Sequence, residues 1–277
     1  MGSHPLVCAL GDLVLDVVVR LERPPARGAD VGASTRAGAG GQAANVAAWA
    51  AALGGRGRYL GKRAADSVGD VVAREIEAHG VELHGPCGEG RTGVVVSLVD
   101  AEGERTMASD RGISPDLRAD EVDAAWLEGA RTLHISGYAL ARDPVGAAAE
   151  QLAAVAHDLG VQLSVDLAAS TIIDERFRDR LTEVAPDVIF ANEDERKALG
   201  GELPAPTWVL KRGPRGCVFA RDGLYVELPA SDVEVVDSTG AGDALAAGFL
   251  LGGALDEAAR RGMRAAARCI SRLGAMP

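Results

Sequence analysis

Aromatic side chains are scarce in this chain of 277 residues, where Phe, Trp and Tyr together make up 4%. This scarcity argues against a surface that stacks single-stranded nucleic acid bases. Basic residues are also outnumbered, with 29 Lys and Arg against 40 Asp and Glu, which gives a formal net charge of −11. The electrostatic field of a protein with this net charge repels nucleic acid and anionic membranes. We therefore expect no nucleic-acid or membrane partner, and any phosphate site must be local.

Cysteines and long apolar runs are the next shortages. The four cysteines are scattered, form no C-x-x-C pair and do not cluster with the five histidines. Dispersed thiols are typical of reduced, cytoplasmic proteins. No stretch approaches the roughly 20 uninterrupted apolar residues that span a membrane, and no basic-then-apolar signal segment opens the sequence. We expect a cytoplasmic protein.

Short apolar strands alternate with helical segments along most of the chain. Leu6–Leu10 reads as a fully apolar strand, and Gln42–Leu53 as an alanine-rich helix ended by Gly54. This alternation predicts an α/β fold with a mostly parallel central sheet, helices on both faces and ligands at the carboxyl ends of the strands. Because no linker, repeat or low-complexity tract interrupts the pattern, we expect a single domain over residues 5–277.

Three strand-like segments stand apart from this alternation. Residues 14–21, 31–36 and 92–109 are not separated by long helices, which predicts a small β lid beside the main sheet. If the lid exposes an apolar face, pairing with the lid of a second subunit would bury it. We therefore expect a homodimer formed through the lid.

The most informative segment is Asp237-Ser238-Thr239-Gly240-Ala241-Gly242-Asp243, called the anion loop below, which precedes an apolar, helix-favouring run. Backbone N–H groups at the start of a helix are unpaired, and with the helix dipole they bind anions. Asp243 falls in the first helical turn, where its carboxylate can accept a proton from an attacking alcohol. The loop thus indicates phosphoryl transfer. The alternative is a tight turn whose aspartates cap the helix.

Two common phosphate-binding patterns are missing. The nearest approach to G-x-x-x-x-G-K-[ST] is residues 57–62, where the spacing is wrong and Arg63 replaces the metal-binding hydroxyl. No G-x-G-x-x-G opens a helix after the first strand, which leaves a dinucleotide dehydrogenase with little support. The predicted anion site therefore lies far along the sequence.

Two motifs carry a family resemblance. Gly40-Gly41-Gln42-Ala43-Ala44-Asn45 leads into the alanine-rich helix, and the anion loop, followed by Gly248, lies about 200 residues downstream. The chain resembles the PfkB/ribokinase family of sugar kinases from about Val7 to Pro277. Smaller family features occur in the expected order: Gly11, Asp16, Asp66, Gly69, Asn192, Glu195, Lys211, Arg212, Gly213 and Gly216. The resemblance implies a ribokinase-like three-layer fold and an ATP-dependent sugar kinase.

The resemblance also implies roles within the anion loop. Asp243 is the base that takes the proton from the sugar hydroxyl, and an ordinary aspartate pKa suffices for this. The N–H groups of Gly240, Ala241 and Gly242 stabilise the phosphoryl charge in transit. Asp237 resembles the family's contributor to a monovalent cation site, such as one for K⁺, with capping of the turn as its alternative.

Nucleotide and metal roles are implied for a second group of residues. Asn192 and Glu195 match an N-x-x-E element that organises Mg²⁺ and its waters beside the ATP phosphates. The same spacing is also that of a helix-capping box. The resemblance places on the nucleotide side Lys211, Gly213, Gly216, Gly240 and Gly242, although Lys211 could also simply end a strand.

Asp16, Gly41 and Asn45 match sugar-binding positions of the family. A carboxylate within the apolar strand that holds Asp16 is costly unless a ligand satisfies it, or unless it faces solvent. Compared with ribokinase itself, the chain carries Val14, Gln42 and Gly137 where Asn, Lys and Glu are usual. Several ribose contacts are therefore missing, and the chain is not expected to be a ribokinase.

Arg105 and Arg111 lie on or beside the strand that overlooks the sugar in the family. A guanidinium fork there can bind a carboxylate or phosphate, so keto-deoxy sugar acids and sugar phosphates join fructose as candidate substrates. The alternative is that both arginines are solvated at the edge of the strand.

Three functions are compatible with these motifs. The first is an ATP-dependent carbohydrate kinase, whose partners are a small sugar, ATP and Mg²⁺. The second is a nucleoside kinase of the same family, which the low aromatic content disfavours. The third is a non-catalytic sugar or nucleotide sensor, which the intact Gly240 to Asp243 sequence disfavours.

Overall fold

The computed structural model describes residues 4–25, 27–28, 30–100, 105–201, 203 and 205–277, with only the backbone of Arg105. The strands are β1 (Leu6–Leu10), β2 (Val14–Leu21), β3 (Ala33–Gly40), β4 (Arg56–Leu60), β5 (Arg63–Ala64), β6 (Val81–His84), β7 (Cys87–Gly88), β8 (Thr92–Val99), β9 (Arg105–Gly112), β10 (Ala130–Ser136), β11 (Gln162–Asp166), β12 (Val188–Asn192), β13 (Thr207–Lys211), β14 (Cys217–Arg221) and β15 (Leu224–Leu228). The helices are α1 (Gln42–Ala52), α2 (Ser67–Ala78), α3 (Gly137–Leu140), α4 (Val145–Asp158), α5 (Glu175–Val184), α6 (Glu193–Leu199), α7 (Ala241–Leu250) and α8 (Leu255–Ile270).

Within the described residues, the main sheet has nine strands in the order β15-β14-β13-β12-β11-β10-β1-β4-β6. All neighbours are parallel except the β13/β14 and β14/β15 pairs. Helices α1, α7 and α8 cover one face, and α4 and α5 cover the other. The predicted three-layer α/β architecture is confirmed. No described helix has the length and apolar character that crossing a membrane requires.

The fully apolar sequence of β1 follows from its central place in the sheet. Val7 and Ala9 pack beneath α1 and α7, whereas Leu6, Cys8 and Leu10 pack against the opposite helical layer. A strand buried on both faces has no polar side to show as alternation. Its carboxyl end opens on the edge where the other parallel strands also end, which is the edge that carries the candidate site.

Strands β3, β2, β8 and β9 form a separate four-stranded sheet, called the lid below. It contains the segments predicted for a lid, with two differences of extent. The strand expected at 31–36 runs from Ala33 to Gly40, because it pairs with β2 as far as the Val14 and Gly40 partners and leads directly into α1. The segment expected at 92–109 is two antiparallel strands that continue to Gly112.

Gly57 lets α1 lie close against β4. A Cβ added there would collide with the backbone carbonyl of Ala47. We expect Gly57→Ala to lower the free energy of unfolding by about 1–3 kcal/mol, since an extra carbon in a packed interior forces the backbone apart. Urea unfolding measures this loss. Gly88→Ala is the matched control, because a Cβ at Gly88 meets open space; equal losses in the two variants would contradict the prediction.

Candidate active site

A cavity of about 230 Å³ lies between the lid and the carboxyl edge of the main sheet. Its walls come from β2, α1, the lid strands β8 and β9, the start of α3 and the anion loop. The lining residues are Asp12, Val14, Asp16, Gly41, Gln42, Asn45, Val95, Met107, Ser109, Arg111, Tyr138, Thr239, Gly240 and Asp243. The cavity thus brings together the two sequence motifs, which are about 200 residues apart in the chain.

Asp243 lies in the first turn of α7, behind Gly240, whose φ of +75° places it in the left-handed region. Its Oδ2 accepts a hydrogen bond of 2.7 Å from Nδ2 of Asn45, and the Gln42 side chain bonds the same carboxylate. Burial raises the pKa of the Asp243 carboxyl from an ordinary 3.8 to about 7, against the lowering effect of these hydrogen bonds. The role that the resemblance implies does not require a raised pKa, and the sequence could not show one, because the shift depends on how the start of α7 is buried.

The two glycines before α1 are required by close contacts with Asp12, which precedes β2, and with Asp16 within it. Gly41 has a φ of +104°, and a Cβ there would collide with the carbonyl of Asp12. A Cβ at Gly40 would lie 2.6 Å from that of Asp16. Their absence of side chains brings α1 to the cavity, where Gln42 and Asn45 line the wall.

Lys211 ends β13 beneath the anion loop, where a Cβ added at Gly242 would lie 3.5 Å from its Nζ. The ammonium bonds both carboxylate oxygens of Asp166 at 2.9 and 2.7 Å and lies 4.0 Å from Glu195. Burial alone would lower the pKa of Lys211, but the Asp166 and Glu195 carboxylates outweigh it and raise that pKa. Lys211 is thus kept charged beside the loop. Sequence reasoning missed Asp166, which is 1% exposed.

Asn192 and Glu195 form the capping box of α6. The Asn192 side chain accepts from the Glu195 N–H at 2.8 Å, and the two Glu195 oxygens accept from Asn192 N and Nδ2, each at 2.7 Å. The capping box, which was the alternative to a metal-organising pair, is therefore present, and it lies at the carboxyl end of β12 as predicted. Among the residues with described positions, no group of three or more His, Cys, Asp or Glu side chains is arranged to hold a metal ion.

Asp237 stabilises the anion loop from within. Its Oδ1 accepts from Thr239 N at 2.9 Å and Oγ1 at 2.6 Å, and its Oδ2 accepts from Gly274 N at 2.9 Å. These bonds match the capping alternative. The monovalent-cation role stays a prediction.

Residues 273–276, called the C-terminal segment below, support the same loop. A Cβ on Gly240 would lie 2.5 Å from that of Ala275. The Trp49 indole of α1 donates to the Ala275 carbonyl at 2.8 Å, and Arg36 of the lid donates to the Leu273 carbonyl. The segment therefore contacts the lid, α1 and the anion loop together.

Gly137, Gly213 and Gly216 are also predicted site residues, and they are not among the residues that line the described cavity. A Cβ at Gly137 would be 2.7 Å or less from the carbonyls of Asp166 and Leu167, so no side chain fits there, and Tyr138 lines the cavity instead. The side chain of Arg105 lies outside the described residues, and Arg111 supplies the guanidinium. The other two, Gly213 and Gly216, shape the turn between β13 and β14, and their nucleotide role stays a prediction.

Asp12, Tyr138 and Asp166 are site residues that sequence reasoning did not select. All three lie at the carboxyl ends of strands of the main sheet, and this position is the signal that could have found them. Asp12 and Tyr138 closely follow β1 and β10, and Asp166 ends β11. Ligand-binding side chains in parallel sheets come from these positions.

A family model described as pfkB family carbohydrate kinase matches residues 4–277. The chain belongs to this family. The resemblance found in the sequence is confirmed, and the chain is a carbohydrate kinase, a phosphotransferase with a hydroxyl acceptor. The intact anion loop of this pfkB-family kinase agrees with that activity.

The relatives of this pfkB-family chain are named for different acceptor substrates. The ATP-dependent ribose-1-phosphate kinase of Halopiger xanaduensis is 33% identical over 275 residues, which cover 95% of this chain and 90% of that protein. Probable fructokinase-5 of Arabidopsis thaliana is 27% identical, with coverages of 100% and 95%. The crystal structure of adenosine kinase from Sinorhizobium meliloti is 27% identical, with a TM-score of 0.86 and coverages of 100% and 96%. The acceptor of this kinase must therefore be argued from its own cavity.

Proposed function

We propose that this carbohydrate kinase transfers the γ-phosphate of ATP to a hydroxyl group of a small sugar or sugar derivative. The observation that carries the proposal is the position of Asp243, whose carboxylate is part of the cavity wall next to Gly240 and is held by Asn45. On the cavity side, the base can take the proton of the acceptor hydroxyl. The N–H groups at the start of α7 can stabilise the charge of the phosphoryl group. The relative named as ATP-dependent supports ATP as the donor.

In the proposed reaction, the sugar hydroxyl oxygen bonds to the γ-phosphorus while the bond from that phosphorus to the bridging oxygen of ADP breaks. The hydroxyl proton passes to Asp243. The N–H groups of Gly240 and Gly242, together with Lys211, stabilise the negative charge of the transferring group. The N–H of Ala241 contributes less, because it donates at 3.4 Å to the carbonyl of Ser238.

Mg²⁺ would neutralise part of the phosphate charge when bound with ATP. Asn192 and Glu195 fit this ion through its waters, because the capping box already uses one acceptor site on each Glu195 oxygen. Mg²⁺ commonly keeps several of its waters, so such a contact is chemically reasonable. A K⁺ ion beside Asp237, a homodimer formed through the lid and a cytoplasmic location stay predictions.

A screen of ADP release tests the proposed function. Purified protein with ATP and Mg²⁺ is offered pentoses, ketohexoses, sugar acids, sugar phosphates and nucleosides. We expect ADP release well above the ATP-only background with at least one carbohydrate, and weaker turnover with adenosine. Preference for adenosine would make the chain a nucleoside kinase, and binding of sugars without turnover of any would indicate a sensor.

A further inference from the structure

Gln42, the first residue of α1, lies between the end of β10 and the proposed base. Its side-chain oxygen accepts a hydrogen bond from the hydroxyl of Ser136, which ends β10. Its side chain also bonds the carboxylate of Asp243. An amide accepts through its oxygen and donates through its nitrogen, whereas an ionised carboxylate only accepts. The amide nitrogen of Gln42 is therefore the atom that donates to Asp243.

Ser136 favours this orientation of the amide. The residue is 1% exposed and tightly enclosed, since a Cβ added at Gly11 would lie 2.9 Å from that of Ser136. If the amide of Gln42 turned over, its oxygen would face the carboxylate of Asp243, and two acceptors would meet with no hydrogen between them. The hydroxyl of Ser136 and the carboxylate of Asp243 thus favour the same orientation of Gln42.

Asp243 is held by two amide groups from the same side of α1. Gln42 and Asn45 are three residues apart, and side chains at this spacing are neighbours on a helix surface. Nδ2 of Asn45 donates to Oδ2 of Asp243 at 2.7 Å. Both donors favour the ionised carboxylate against its burial. Because a carboxylate has about four acceptor sites, two donors leave it able to take the proton of a hydroxyl group.

We propose that Gln42 is a positioning residue for the base: its amide, oriented by Ser136, holds the Asp243 carboxylate toward the acceptor hydroxyl. Gln42 then acts through Asp243, and its role differs from that of the sugar-binding Lys that is usual at this position in ribokinase. This inference rests on the proposed kinase function and adds two residues to its mechanism.

Other groups also act on Asp243, so the test must distinguish them from Gln42. Among the described residues, the ionisable side chains that act on Asp243 or share its cavity are Asp166 of β11, Lys211 of β13, Cys269 of α8, and Asp12, Asp16 and Arg111 of the cavity wall. A neutral substitution at Gln42 or Ser136 removes none of these groups. A changed titration of Asp243 in such a variant therefore reports the loss of the hydrogen bond.

The first measurement needs no substrate. NMR of the aspartate carboxyl carbons in the free protein follows the titration of Asp243, whose signal is assigned by its loss in Asp243→Asn. Gln42→Met removes the donor at similar side-chain length, so the pKa of Asp243 should rise. Ser136→Ala, which removes only one oxygen, should raise this pKa by less. Gln151→Met is the matched control at an exposed position of α4 and should leave the titration unchanged.

Steady-state kinetics with the sugar found in the ADP-release screen gives the second readout. In Gln42→Met, we expect kcat to fall by about tenfold, the effect of one lost hydrogen bond. The rising limb of kcat/KM should move to higher pH, while KM for the sugar stays within about twofold of its value in the unaltered protein. Ser136→Ala should show smaller changes in the same directions.

The outcomes separate this inference from the kinase function. An unchanged titration of Asp243 in folded Gln42→Met would overturn the inference while the kinase function stands. A raised KM with kcat and the rising limb unchanged would also overturn it, because Gln42 would then contact the sugar. If Gln42→Met does not fold, Ser136→Ala decides by the same two readouts. Turnover of no carbohydrate by the unaltered protein would instead reject the kinase function, whatever the NMR titration shows.

Discussion

Asp243→Asn is expected to lower kcat by about 10²–10⁴-fold while the variant still binds ATP, because it removes the proposed base. In the unaltered enzyme, kcat/KM should rise with pH through about 7, as the carboxyl of Asp243, with its raised pKa, loses its proton. Steady-state kinetics with the sugar found in the ADP-release screen measures both effects. Unchanged turnover in the variant would reject Asp243 as the base.

The same substitution is expected to make the free protein more stable at pH 8. The pKa of Asp243 is raised from 3.8 to about 7 in the folded state, so folding favours the protonated form. Stability is therefore lost as the pH rises from about 4 to about 7, and a neutral Asn avoids a cost on the order of 2 kcal/mol. Thermal melting at pH 5 and pH 8 measures the gain, with the exposed Asp232→Asn as control. A gain that is equal at both pH values would contradict this explanation.

Breaking the pair of Lys211 and Asp166 is expected to cost more than any other single change to the site. Asp166→Asn leaves the ammonium of Lys211 without its hydrogen-bonded partner, with Glu195 and Asp243 as remaining carboxylates that act on it, and Lys211→Met leaves Asp166 without its cation. Each should lower the free energy of unfolding by about 3–5 kcal/mol, and the double variant by less than the sum, since the two changes share one interaction. Chemical unfolding of the three variants measures this coupling.

The pH profile distinguishes an electrostatic role of this pair from a merely structural one. Asp166 raises the pKa of Asp243 and Lys211 lowers it. The rising limb of kcat/KM should therefore move to lower pH in Asp166→Asn and to higher pH in Lys211→Met. Lys197→Met, at an exposed position of α6, is the control. It should change neither the free energy of unfolding nor the pH of the rising limb of kcat/KM. If the rising limb of kcat/KM stays at the same pH in folded variants, the pair does not act on Asp243.

The sequence predicted those parts of the fold and site that depend on local pattern. The apolar strands, the glycines that begin α1 and α7, and the position of Asp243 all follow from short-range rules of burial, backbone freedom and helix capping. Asn192 and Glu195 show the limit of this approach. Their spacing fits both a capping box and a metal-organising pair, and a single spacing cannot exclude either.

The remaining features depend on which strands become neighbours. Asp166 meets Lys211 because β11, β12 and β13 are adjacent, and Asp12 meets Arg111 because the lid folds over the end of β1. Nothing within either segment indicates these pairings. The raised pKa of Asp243 is of the same kind, since it depends on burial that several elements create together.

The C-terminal segment also sets the order in which the kinase can become active during synthesis. Trp49 and Arg36 bond carbonyl groups 226 and 237 residues further along the chain, and Ala275 supports Gly240. A ribosome-bound chain that has already formed β1 and α1 still lacks these supports. Contacts over such long separations form late and slowly. We therefore expect the anion loop to take its final shape after Ala275 has been added, and chains that end before it to fold in part yet turn over no substrate.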